Sequence, residues 1–107
     1  ELKGAKMKAT SDFSKIRKVS TIVICVPTPV HIDHTPDLEP VRRAAIEIGK
    51  NLVPGQLVIL ESTVNPGACE TILLPLLEKH SKLKAGRDFF LAHCPERLNP
   101  GDSKWNI

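Results

Sequence analysis

The chain has 107 residues, room for one small domain. Hydrophobic residues make up 41% and charged residues 25%, the balance of a soluble globular protein, while aromatics at 4% argue against base-stacking platforms for single-stranded nucleic acid. The 15 basic and 12 acidic residues leave a formal charge of +3, scattered rather than clustered, so no nucleic-acid partner is expected.

In chain order, Met7-Lys8-Ala9 reads as a weak strand. Ser11 or Asp12 can cap a short helix running to Val19. TIVICV, residues 21–26, is β-branched and continuous, the pattern of a strand buried on both faces. Pro27-Thr28-Pro29 ends it, because Pro supplies no ladder donor. Residues 31–36 are polar and turn-like. Leu38, Val41, Ala44, Ala45, Ile48 and Leu52 then fall at helical spacing. Thr35 or Asp37 suits the cap of that helix, Pro36 its first turn, and Pro54-Gly55 its stop.

Leu57-Val58-Ile59-Leu60 is a second buried strand. Asn65 reads as a helix cap with Pro66 at the first helical position. Ile72, Leu73, Leu76 and Leu77 form the apolar face, and Pro75 inside that pattern predicts a kink or a break. Residues 82–87 form a basic, solvated turn, and Phe89-Phe90-Leu91-Ala92 is the last strand. Short apolar strands alternating with helical patterns mean an α/β fold with a parallel sheet and right-handed crossovers. No internal repeat or low-complexity segment is present.

The three cysteines, Cys25, Cys69 and Cys94, are odd in number and form no C-x-x-C. That fits a reducing cytoplasm better than a secreted disulfide scaffold. No apolar run approaches the ~18 residues of a membrane span, so no membrane partner is expected. No signal peptide opens the chain, and Glu1-Leu2-Lys3-Gly4 reads like the interior of a longer protein.

In an open parallel sheet, ligands bind beyond the carboxyl ends of the strands. Three such ends read VPTP at 26–29, ESTVNPG at 61–67 and CPERLNPG at 94–101. Thr28 and Thr63 each place a hydroxyl at a strand tip. ESTVNPG runs on into a helix, whose free N–H groups favour an anion or a polar cofactor edge. Singly, each has a plainer account: a turn threonine, a capping Glu61, a solvated Glu96-Arg97 neighbour pair. Three together on one sheet edge place the candidate site there. His31, His34, His93 and Cys94 include ligand types, yet none has zinc-site spacing, and no metal is expected. Cys94 as a nucleophile has no partner base identifiable by sequence.

VICVPTP, PDLEPV, PGQLVILESTVNPG and LAHCPERLNPGD, in that order and spacing, resemble the nucleotide-sugar 6-dehydrogenases. These are the UDP-glucose, UDP-N-acetylglucosamine and UDP-N-acetylmannosamine enzymes of nucleotide-sugar metabolism and polysaccharide biosynthesis. The resemblance spans about residues 7–107, and PERLNPGD is closer to the UDP-N-acetylhexosamine branch than to the UDP-glucose branch. It implies a partial Rossmann-like, doubly wound parallel sheet of about four strands with helices on both faces. It also implies oxidation of the sugar C6 alcohol to a carboxylate with NAD, through an aldehyde, a thiohemiacetal and a thioester on a catalytic Cys.

Carried over by motif, Val26, Pro27, Thr28, Ser62 and Thr63 would lie against NAD. Thr63 would also help hold the reacting water. Glu96 would be the general base of thioester hydrolysis, and Arg97 and Leu98 would line the UDP-sugar site. The stiff Pro95 and Pro100-Gly101 would fix where Glu96 points.

The family's G-x-G-x-x-G is not found here, nor its acidic ribose ligand, its Gly-rich catalytic Cys segment, or the Lys and Asn of its central helix. The resemblance therefore implies that residues 1–107 are the C-terminal portion of the NAD domain. The first strands and the substrate and C-terminal domains would lie outside it, the fragment would be inactive alone, and the full-length enzyme would be a cytoplasmic homodimer. The alternatives are a non-catalytic Rossmann-like nucleotide-binding module, or another β-hydroxyacid-type dehydrogenase. In the doubly wound order, Met7-Lys8-Ala9 would be strand 3 and residues 21–26 strand 4. Without strands 1 and 2, residues 21–26 become an open edge that self-associates or pairs with the Met7 segment.

Overall fold

The structure is a computed structural model that describes residues 7–95. Three strands form one parallel sheet in the order β1 (Thr21–Ile24), β2 (Leu57–Leu60) and β3 (Phe90–His93). Ile24 is level with Leu60, and Leu60 with His93, so the three carboxyl ends finish in register. Helix α1 (Glu39–Asn51) connects the first two strands. A π-helical stretch, Cys69–Leu73, leads into helix α2 (Leu74–Ser81) between the second and third.

The core lies between the helices and one face of the sheet. Ile22, Ile24, Val58 and Leu60 bury their side chains against Val41, Ala45, Ile48, Leu73 and Leu77 in one cluster. The helical spacing read from Val41 through Leu52 and from Ile72 through Leu77 falls on this face. Full burial of a Leu or Phe side chain stabilises by about 1.5–3 kcal/mol. Leu73, Leu77 and Phe89, all at 0% exposure, anchor the packing. The two helices touch each other closely at Gly49, where an added Cβ would come within 2.8 Å of the His80 Cβ.

A 3-10 turn, Phe13–Lys18, precedes β1 and is capped by Asp12, which accepts from the Ser14 N–H at 3.0 Å. Buried Gln56 ties this turn to the amino end of the sheet. Its Nε2 donates to the carbonyls of Ile16 (2.7 Å) and Val19 (2.6 Å), and its Oε1 accepts from the Val53 N–H at 2.8 Å.

Several expectations are corrected. Met7-Lys8-Ala9 is not a strand: Met7 is 70% exposed, and the Thr10 hydroxyl accepts from the Asp12 N–H, turning the chain away. The described residues therefore hold three strands rather than about four, with both long helices packed on one face. The other face carries Thr21, Val23, Leu57, Ile59 and Phe90 by strand alternation. Val23 is 48% and Phe90 52% exposed, so β1 is not buried on both faces. An apolar groove of about 410 Å3 runs along the β1 edge, lined by Phe13, Val19 and Val23 among others.

α1 begins later than predicted. Pro40, not Pro36, sits in its first turn, and Asp37 Oδ1 accepts from the Glu39 N–H at 2.9 Å. Pro36 instead pairs with Val30 across the preceding loop. Asn65 does not cap by its side chain; its carbonyl accepts from the Ala68 N–H at 3.2 Å. Pro75 neither kinks nor breaks α2 from within, because it falls in the first turn of that helix. The ladder widens ahead of it, where the Leu74 N–H reaches back to the Cys69 carbonyl. A Pro ring has no N–H and crowds the carbonyl four residues earlier, and a π stretch relieves both.

Candidate functional site

The tips of the three strands enclose a cleft of about 490 Å3. The first tip supplies Cys25, Val26, Pro27 and Thr28, the second Glu61, Ser62 and Thr63, and the third Cys94 and Pro95. These residues lie beyond the carboxyl ends of parallel strands, where an α/β sheet binds its ligands.

Hydrogen bonds bind the first two tips together. The Val26 N–H donates to Ser62 Oγ at 3.0 Å, and the Ser62 hydroxyl donates to the Val26 carbonyl at 2.7 Å. The Thr28 hydroxyl donates to the Thr63 carbonyl at 2.7 Å. Ser62 is buried at 6% exposure, so it meets the cleft through its backbone, while Thr63 and Glu61 are exposed. Strand alternation explains this order, with Glu61 and Thr63 turned outward and Ser62 inward.

Cys25 and Glu61 form a contact that sequence reading missed. The Cys25 thiol donates to Glu61 Oε2 at 3.4 Å. This hydrogen bond to a carboxylate, then burial and the nearby negative charge, raise the Cys25 pKa. Cys25 is therefore a poor nucleophile at neutral pH. Both residues stand one position beyond paired strand ends, Ile24 and Leu60, so the register is the signal that could have found them. Burial pushes the Cys69 thiol up, and that residue belongs to the core.

Val26, Pro27, Thr28, Ser62 and Thr63 are thus brought together at one cleft. Glu96, Arg97 and Leu98 lie outside the described residues. His31 and His34 sit on the loop bridged by Val30 and Pro36 and do not line the cleft. Among the described residues, no group of three His, Cys, Asp or Glu side chains is placed to hold a metal ion. No helix among them is long and apolar enough to cross a membrane.

Residues 1–106 match the UDP-glucose/GDP-mannose dehydrogenase family, NAD binding domain. The chain belongs to this family. Its matched region is the NAD-binding domain, so the cofactor is NAD. Among curated relatives it is 44% identical over 102 residues to Protein CapL of Staphylococcus aureus, covering 95% of this chain and 24% of that protein. It is 41% identical over 113 residues to the UDP-N-acetyl-D-glucosamine 6-dehydrogenase of Pseudomonas aeruginosa, covering 100% of this chain and 27% of that protein. The chain thus spans about a quarter of the length of these relatives. Its fold is similar to the crystal structure of NDP-N-acetyl-D-galactosaminuronic acid dehydrogenase from Methanosarcina mazei, with TM-score 0.78 and 41% identity over 82% of this chain and 19% of that one. It is also similar to a ternary complex of GDP-mannose dehydrogenase from Pseudomonas aeruginosa, with TM-score 0.79 and 34% identity over 84% of this chain and 22% of that one. The family's sheet is the Rossmann type, and β1, β2 and β3 are a stretch of it. The family description and the other three relatives named here are those of dehydrogenases, which makes this an oxidoreductase family.

Proposed function

We propose that the chain is the part of a UDP-sugar 6-dehydrogenase that receives one end of NAD at the strand tips, with a UDP-N-acetylhexosamine as the sugar substrate. The observation that carries the reading is the joined pair of tips, VPTP and ESTV, which presents two threonines to one cleft. The cleft fits a part of the dinucleotide away from its diphosphate. Its described lining holds a carboxylate, Glu61, and no Lys or Arg. A diphosphate would be repelled there, whereas an amide, a ribose hydroxyl or a cationic ring is accepted.

Val26, Pro27, Thr28, Thr63 and the backbone of Ser62 would hold the cofactor, which when bound accepts hydride from the sugar. Thr63 would orient the water for hydrolysis of the acyl intermediate. Glu96, directly after the cleft residue Pro95, would take that water's proton, and Arg97 and Leu98 would contact the UDP-sugar. The motif PERLNPGD and the relatives' names support an N-acetylated sugar over glucose. The whole enzyme would work in the cytoplasm as a homodimer, in polysaccharide biosynthesis. The 107 residues alone would not turn over, since none of Cys25, Cys69 and Cys94 has the Gly-rich setting of the family's catalytic thiol.

The test is an NAD titration of the chain followed by amide NMR. The amides of Cys25, Val26, Thr28 and residues 61–63 should shift while the amides of α2 do not; shifts confined to other residues would remove the cleft from cofactor binding. In the intact enzyme, Glu96→Gln should slow formation of the sugar acid by about 10²–10⁴-fold, with the first hydride transfer less affected. Unchanged acid formation would take Glu96 out of the base role.

A further inference from the structure

Ser62 is the one polar side chain of the ESTV segment that faces inward. It is 6% exposed, between the exposed Glu61 and Thr63. Its hydroxyl is occupied on both sides by one residue of the neighbouring tip, accepting from the Val26 N–H and donating to the Val26 carbonyl. A hydroxyl has one proton to give, and that proton is already directed at 2.7 Å to protein. Ser62 Oγ therefore has little left to offer a ligand.

The same two bonds explain why β1 stops at Ile24. Past that point the ladder with β2 would continue by backbone pairing, as Glu61 N–H to the Ile24 carbonyl still does. A side chain then takes over the Val26 N–H. Freed from the ladder, the chain turns at Pro27, and two residues beyond Val26 the Thr28 hydroxyl arrives 2.7 Å from the Thr63 carbonyl. The second contact sits directly downstream of the first on both strands, Val26 to Thr28 and Ser62 to Thr63.

We infer that Ser62 is a positioning residue rather than a cofactor ligand: its hydroxyl replaces the next rung of the sheet and thereby sets Thr28 and Thr63 at their cleft positions. The effect on NAD rests on the cofactor reading above; the effect on Val26 and Thr28 does not. Without the hydroxyl, the Val26 N–H and carbonyl lose their partner, and the VPTP tip is free to draw away from ESTV. Thr restores the hydroxyl and adds one methyl; Ala removes the hydroxyl at almost no change in volume.

The experiment uses the full 107-residue chain as wild type, Ser62→Ala and Ser62→Thr. It measures amide exchange at Val26, the Thr28 methyl shift, and NAD affinity by titration. In Ser62→Ala, Val26 should exchange about tenfold faster and the Thr28 methyl should move, while Val58 and Leu60 stay protected; losing one hydrogen bond is worth about that factor. NAD affinity should fall by a similar factor, and Ser62→Thr should restore all three readouts together. Unchanged Val26 exchange in Ser62→Ala overturns the inference. So does faster Val26 exchange with no change at Thr28, which would leave Ser62 a local structural bond only. A wild-type chain that does not bind NAD, but whose Val26 and Thr28 respond as stated, sinks the cofactor reading and leaves the positioning role standing.

Discussion

The Thr28 hydroxyl gives its proton to the Thr63 carbonyl at 2.7 Å, joining two strand tips that lie 35 residues apart in sequence. With its proton so directed, the Thr28 oxygen retains acceptor capacity only. A ligand group that meets it must be a donor, such as an amide N–H or a sugar hydroxyl. Thr28→Val keeps the shape and removes both the bond and the acceptor. It should weaken NAD binding about 5- to 10-fold by titration, and Thr28→Ser should recover most of the loss. Equal affinities for wild type and Thr28→Val would show that the oxygen meets nothing.

Gln56 is buried with all its polar atoms paired, two of its bonds reaching carbonyls of the 3-10 turn at 2.7 and 2.6 Å. Gln56→Leu fills the space, strands the Val19 carbonyl and the Val53 N–H, and leaves the Ile16 carbonyl only its bond from the Val19 N–H at 3.2 Å. Each buried group left without a partner costs about 1–3 kcal/mol, though water can reach some of them, so a loss of about 2–3 kcal/mol is expected. Urea unfolding measures it; a change under about 0.5 kcal/mol would mean the turn is not held from Gln56.

Asp88 shows the clearest pH signature. Hydrogen bonds from the Arg87 side chain, then from the Lys84 N–H, hold its pKa at about 2, down from an ordinary 3.8. A carboxylate depressed by folding contributes stability that is fully present above its unfolded value. That contribution falls away as pH drops through the folded value near 2. Asp88→Asn should therefore lower stability at neutral pH and flatten the decline between pH 4 and 2. Urea midpoints for both proteins across that range test it, and parallel curves would remove Asp88 as a source of acid sensitivity.

β1 is an edge of the described sheet, and Val23 stands 48% exposed beside an apolar groove. Such a strand recruits another chain unless it is charged or covered, and residues 21–26 carry no charge. The Met7 segment does not cover it, since it forms no strand. The 107-residue chain by itself should self-associate through this edge. Light scattering should give a mass above the monomer at micromolar concentration, with slow amide exchange at residues 22–25. A monomer with fast exchange there would show that the edge is not adhesive.

Much of this fold could be read because local pattern and tertiary outcome agree. Val41, Ala45, Ile48 and Leu52 recur at helical spacing and are all buried. The three strands declared themselves by short apolar runs, and their tips by Pro and Thr. Misread features depend on partners distant in sequence. Nothing within residues 21–26 says that Ser62 will take the Val26 N–H and shorten the strand by two residues. The apolar run likewise looks buried on both faces, because composition cannot report which face the helices take. Pro75 announced a disturbance, and the structure meets it by widening the ladder over Cys69–Leu73, ahead of the proline. The Cys25–Glu61 contact needed the register of β1 against β2.

The alternation along Glu61, Ser62 and Thr63 restricts how the gene can change. Losing or gaining one residue between Leu60 and Thr63 would turn the serine toward solvent and drive a carboxylate or threonine beneath the sheet tip. Single-codon insertions and deletions should therefore be purged from this segment. The loop between Val30 and Pro36 is closed by its own bridge and bears a fully exposed Ile32. Length variation among natural descendants of this chain should collect there, where a longer or shorter loop leaves the register of every strand untouched.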